Sequence, residues 1–179
     1  MRYSQIREMD ISNGEGIGVS LFVQGCHFHC KGCFNQETWD FNGGKQWTQE
    51  TKNKFVELAG KPYVKRISIL GGEPLADENI TEVYFLLQTL KNLYPQKKIW
   101  LYTGYLLEDI WNSPKDQNYN ALRALVITYT DIFIDGQFKL SKQDINHKTH
   151  KWVGSTNQRV IDVGLSFKEN KIILYKGVV

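Results

Sequence analysis

Short apolar runs alternate along this chain with stretches whose apolar residues follow helical spacing. Residues 19–23, Val-Ser-Leu-Phe-Val, read as a strand that leads straight into a cysteine-bearing loop. Residues 51–58 have helical character, with Phe55, Val56 and Leu58 apolar. Residues 66–70 form a second strand, stopped by Gly71 and Gly72. Ile80, Val83, Tyr84, Leu87 and Leu90 then recur at 3.6-residue spacing. They predict a helix of about four turns with Asp77 as its N-cap. Residues 98–102 are a third strand, ended by Thr103 and Gly104, and a helical region around 122–126 follows. Residues 132–135 are a fourth strand, ended by Gly136, and 159–163 are a candidate fifth. The stretch 165–175 is a candidate hairpin turning near Glu169 and Asn170.

Strands separated by helices imply an α/β fold with a mostly parallel sheet and right-handed crossovers. Chemistry in such sheets collects at the C-terminal strand ends. The unusual residues of this chain fall there: the cysteine loop after the first strand, Gly71 to Pro74 after the second, Thr103 after the third and Asp135 at the end of the fourth. The strands are too few for a closed eight-fold barrel, so an open, partial barrel is expected. No repeat, low-complexity tract or linker interrupts residues 1–179, and one domain with a single core is expected, with 164–179 as a hairpin extension.

Composition narrows the function classes. A formal charge of +3, with lysines scattered rather than striped, argues against a nucleic-acid partner. No apolar run reaches membrane-spanning length, and the Met1-Arg2-Tyr3-Ser4-Gln5 start lacks the apolar stretch of a secretory signal. A cytoplasmic location is therefore expected, where cysteines serve more often as ligands or catalysts than in disulfides.

All three cysteines of the chain, Cys26, Cys30 and Cys33, lie in one C-x3-C-x2-C loop. An odd, clustered set is not a disulfide framework. A [4Fe-4S] cube usually takes four thiolates. Three leave one iron without a protein ligand, and an open position makes a metal site reactive. Gly25 and Gly32 permit the tight turns such a loop needs. Two alternatives stand beside this: His27 or His29 could complete a zinc site, or the thiols could be incidental. Between two cysteines the histidines are cramped for tetrahedral zinc, and they read more simply as loop side chains.

The pairing of this loop with Gly71-Gly72-Glu73-Pro74 resembles the radical S-adenosylmethionine (SAM) superfamily. A closer likeness, from about Tyr3 to Val163, is to the activating proteins of anaerobic ribonucleoside-triphosphate reductase. It is carried by Asp10 to Gly16, Ser20 to Cys26, Gly32-Cys33-Phe34-Asn35, Thr38-Trp39, Gly71 to Leu75, Trp100 to Tyr105, Asp135 to Phe138 and Gly154 to Arg159. Gly18 departs from the likeness, because many relatives carry Arg there.

The resemblance implies an open partial (βα)6-type radical SAM barrel and a [4Fe-4S] cluster on Cys26, Cys30 and Cys33. It implies that SAM chelates the open iron, with Gly32, Cys33, Phe34, Gly71, Gly72, Glu73, Pro74, Thr103 and Asp135 around it. The Gly-Gly-Glu-Pro turn would meet the methionine amino group through backbone carbonyls, helped by its carboxylate, and Phe34 would lie by the adenine. Reductive cleavage of SAM would give a 5′-deoxyadenosyl radical that takes hydrogen from a glycine Cα of the reductase. A flavodoxin-type protein would supply the electron. Other small radical SAM enzymes (another glycyl-radical activase or a deazaguanine synthase) and a non-catalytic zinc or iron–sulfur module remain alternatives. Thr103 could bond SAM or merely end a strand, and Asp135 could meet the methionine amino group or serve structure. Asn35 could brace the cysteine loop, while Asn157 and Gln158 read as loop caps and His147 and His150 as surface or packing residues.

Overall fold

The computed structural model describes residues 1–112, 118–145 and 151–177. Its elements in chain order are β1 (Arg2–Asp10), β2 (Gly18–Val23), β3 (Lys45–Gln46), α1 (Gln49–Gly60), β4 (Arg66–Gly71), α2 (Asp77–Leu93), β5 (Lys98–Tyr102), α3 (Leu107–Asn112), α4 (Asn118–Thr128), β6 (Ile132–Asp135), β7 (Arg159–Asp162) and α5 (Val163–Glu169). They build an α/β structure around one open, mixed sheet of order β3-β1-β2-β4-β5-β6-β7.

The centre is parallel as expected: β2 pairs with β4, β4 with β5, and β5 with β6. Helices connect these strands, because a parallel neighbour can be reached only by a crossover. The flanks differ from expectation. β1 and β3 add an antiparallel edge on one side, and β7 lies antiparallel to β6 on the other. β1 shows no strand period in the sequence, because register shifts between Tyr3 and Gln5 and between Arg7 and Asp10 break its two-residue alternation.

Alternation along the central strands sends two sets of side chains to opposite faces. Val19, Leu21 and Val23, Ile67 and Ile69, Ile99 and Leu101, Phe133 and Ile161 join the helices in the larger core. There they meet Phe55 of α1, Val83 and Leu87 of α2, and Val126 of α4. Trp100, Ile132, Ile134 and Val160 belong to a second, smaller cluster with Val153, against which Tyr102, Trp152 and Tyr175 pack.

Two local expectations are corrected. Asp77 is the first residue of α2 and not its cap: Ala76 occupies the N-cap, and Asp77 pairs with Arg123 of α4. Residues 165–175 are not a hairpin. Asp162 caps α5 by accepting from Leu165 N at 2.9 Å, Asn170 ends it in the left-handed conformation, and the chain returns to bridge Ile161 at Leu174. No helix among the described residues is long and apolar enough to cross a membrane. His147 and His150 lie outside the described residues.

Candidate functional site

The cysteine loop leaves the C-terminal end of β2 and is tied down at its start, where Gly25 N donates to Thr38 O at 2.7 Å and Cys26 N to Trp39 O at 3.1 Å. Gly25 has φ +96°, and a Cβ there would lie 2.0 Å from the Phe41 ring, so only glycine fits. Cys33 N closes a turn onto Cys30 O at 3.0 Å. All three cysteines are free and half-buried, and all three line one cavity of about 550 Å³.

Of Gly71 to Pro74, at the end of the adjacent strand β4, Gly72 and Glu73 are pressed against the start of this loop, while Pro74 is not among the residues that line the cavity. Gly72 N donates to Val23 O at 2.9 Å and Glu73 N to Gly25 O at 2.7 Å. A Cβ on Gly72 would lie 2.3 Å from Gly25 O, which is why two backbones can meet here. Gly71, Gly72 and Glu73 line the cavity, as does Phe34, whose ring sits 5.1 Å from that of Phe138. Gly32, with φ +76°, leaves room for Leu140.

The carboxylate of Glu73 is bonded within the protein. It is buried and accepts from Leu75 N, Thr103 Oγ1 and Gly104 N, each at 2.8 Å. Burial pushes its pKa up to about 7, against the pull of those three hydrogen bonds. Glu73 therefore braces the ends of β4 and β5 together. Thr103 lines the cavity, but its hydroxyl donates to Glu73 and accepts from Tyr105 N at 3.1 Å, the structural alternative for this residue.

Asp135 is not among the residues that line the cavity. It is fully buried, pairs with Arg159, and accepts from Leu107 N at 3.0 Å at the start of α3. Its neighbours Gly136 and Gln137 line the cavity in its place. Asn35 acts through its backbone, its N–H donating to Cys33 Sγ at 3.4 Å. Gln158 and Asn157 are loop caps as expected: Gln158 Oε1 accepts from Gly154 N and Ser155 N, and Asn157 Nδ2 donates to Gln137 O.

Burial raises the Cys26 thiol to about 11 and also raises Cys30. The Asn35 N–H reaches the Cys33 sulfur. Backbone N–H groups at sulfur stabilise metal-bound thiolates, and a bound cation displaces the thiol protons. The zinc alternative fits less well. His27 faces Glu78 at 3.0 Å and His29 stacks on Trp39 at 4.8 Å, and neither lines the cavity that the three cysteines share. Among the described residues no three His, Cys, Asp or Glu side chains converge as ligands of a single ion. A cube is wider than one ion and takes its thiolates further apart, around a cavity such as this. The donor set thus fits an iron–sulfur cluster.

Residues 12–161 match the family described as a 4Fe-4S single cluster domain. The chain is 37% identical over 160 residues to the anaerobic ribonucleoside-triphosphate reductase-activating protein of Vibrio cholerae, covering 88% of this chain and 96% of that one. Proteins of the same name from Enterobacteria phage T4 and Escherichia coli K12 are 35% and 34% identical, covering 89% of this chain and 93% and 97% of theirs. The three cysteines around one cavity thus sit in a chain that belongs to the family of anaerobic ribonucleoside-triphosphate reductase-activating proteins with a 4Fe-4S single cluster domain.

Proposed function

We propose that this protein activates an anaerobic ribonucleoside-triphosphate reductase by radical SAM chemistry on an incomplete barrel. The reading is carried by one observation: the cysteine loop and the Gly71–Gly72 turn, on adjacent parallel strands, are docked backbone to backbone at the wall of one cavity. Cys26, Cys30 and Cys33 would hold three irons and leave the fourth open toward that cavity. When bound, cluster and SAM supply an electron and a 5′-deoxyadenosyl radical that takes hydrogen from a glycine Cα of the reductase.

The residues of this chain bind, orient and exclude water. The carbonyls of Gly71 and Gly72 take the methionine amino group, and Phe34 with Phe138 offers the adenine an aromatic face. Glu73 and Thr103 keep the two strand ends in register, and Phe28 and Trp152 wall the cavity against solvent. Phe34 is 63% exposed at the edge of the cavity, which leaves the site open to a loop of a partner protein. A flavodoxin-type donor in a reducing cytoplasm completes the proposal.

The test is anaerobic. After reconstitution with iron and sulfide and reduction, added SAM should yield 5′-deoxyadenosine, and the reductase should acquire a glycyl-radical EPR doublet. Stoichiometric zinc in the isolated protein, with no SAM cleavage after reconstitution, would refute the reading.

A further inference from the structure

Asn79, in the first turn of α2, is 1% exposed and has no place in the cavity wall described above. Its side-chain nitrogen donates twice, to Gln24 O and to Glu73 O, each at 3.0 Å. The first acceptor stands two residues before Cys26 and the second lies inside the Gly71–Pro74 turn. Gln24 continues the chain of contacts. Its buried amide donates to Glu37 O at 3.0 Å and Asp40 O at 2.8 Å, the far side of the cysteine-bearing loop. An amide nitrogen has two hydrogens: Asn79 spends one on each of the two segments, and Gln24 spends both on carbonyls that follow the cysteines.

There is no slack around this relay. Cβ atoms on Gly43 and Gly44 would lie 2.7 and 2.9 Å from the Gln24 amide, as a Cβ on Gly72 would collide with Gly25 O. A ligand that spans two segments needs both held to a fraction of an ångström.

We infer that Asn79 is a positioning residue which sets the distance between the cysteine loop and the Gly71–Pro74 turn. Resting on the function proposed above, it thereby sets the distance from the open iron to the carbonyls that take the methionine amino group. Asn79→Asp tests this most sharply, because it keeps the shape but turns an acceptor toward two carbonyls.

The full chain carrying Asn79→Asp or Asn79→Ser is reconstituted anaerobically beside wild type, with Thr89→Ala as a control elsewhere on α2. The Kd for SAM is read from the change SAM causes in the EPR signal of the reduced cluster. Asn79→Asp should keep wild-type iron and sulfide content and raise that Kd at least tenfold. Asn79→Ser, with one donor left, should fall between, and Thr89→Ala should match wild type. In the cluster-free chain, alkylation of Cys26 by iodoacetamide, followed by mass spectrometry, should accelerate several-fold in Asn79→Asp. An unchanged Kd at full iron content overturns the inference. A wild type that does not bind SAM defeats the functional reading instead, and the Cys26 alkylation rates then decide whether Asn79 sets the loop. Should Asn79→Asp not fold, Asn79→Ser is judged by the same two readouts.

Discussion

Arg66 begins β4 with its guanidinium sealed from solvent, where an unpaired charge would be costly. It donates from Nη2 to Asp10 O at 2.7 Å and from Nη1 to Ser68 Oγ at 2.6 Å, and it pairs with Asp10 Oδ1 at 3.4 Å. Gly18, its register partner on β2, has no room for a side chain, since a Cβ would lie 2.5 Å from Arg66 Cγ. The space over Gly18 is thus filled from the neighbouring strand. Burial acts to raise the pKa of Asp10, but hydrogen bonds from Ser20 and Asn13 and the N–H groups of Ser12 and Asn13 outweigh it and hold the pKa at about 2. A depressed carboxyl pKa stabilises the fold above its unfolded value of 3.8, and that contribution is lost as pH falls toward 2. It is worth about 2 kcal/mol at ~1.4 kcal/mol per unit. Asp10→Asn should cost roughly 3–5 kcal/mol at pH 7 by leaving Arg66 uncompensated. The gap between the variant's and wild-type urea midpoints should narrow between pH 4 and pH 2. A constant gap across that range would refute the assignment. Cys26, Cys30 and Cys33 were legible in the sequence because thiols at short spacing carry chemistry wherever they fold. Asn79 and Gln24 were not, since their acceptors are backbone carbonyls brought near only by folding.

At the scale of elements, the interior strands β2, β4, β5 and β6 and the helices α1, α2 and α4 all follow the hydrophobic pattern, because burial on fixed faces imposes a period. The departures lie where a period is short or broken. β7 pairs antiparallel with β6, so it does not return as a crossover strand. α5 has seven residues, too few for its spacing to be told from a hairpin arm, and it is fixed by its caps. Asp162→Ala should therefore cost about 1 kcal/mol, a fall of ~2–4 °C in melting temperature measured by circular dichroism. At the other strand end, Gly72→Ala should force the turn away from Gly25 O. The expected outcome is a folded protein with the wild-type melting temperature lowered by a few degrees and the SAM-dependent EPR change lost. Retention of that change would show that the close backbone approach is unnecessary.

For the whole molecule, the segment after α5 joins distant parts of the chain. Tyr175 N donates to Val160 O at 2.8 Å, its ring packs 5.6 Å from Trp100 and 6.3 Å from Trp152, and its hydroxyl bonds Glu15 across 160 residues of sequence. It closes the smaller core from below, beyond residue 161 where the family match ends. Tyr175→Ala should lower stability by about 2 kcal/mol in urea unfolding while iron content after reconstitution stays at the wild-type level. Loss of the cluster in that variant would mean that the segment supports the cysteine loop itself. Periodic burial and thiol chemistry are local properties, so the α/β class, the parallel centre of the sheet, the cysteine loop and its glycine-rich partner turn can be read from the chain alone. Folding gave Asp135 to Arg159, set Glu73 and Thr103 against each other, and placed Asn79 between the two halves of the site and Gln24 across the cysteine-bearing segment. Where a polar side chain finds its partner depends on which strand ends become neighbours, and no spacing along the chain encodes that.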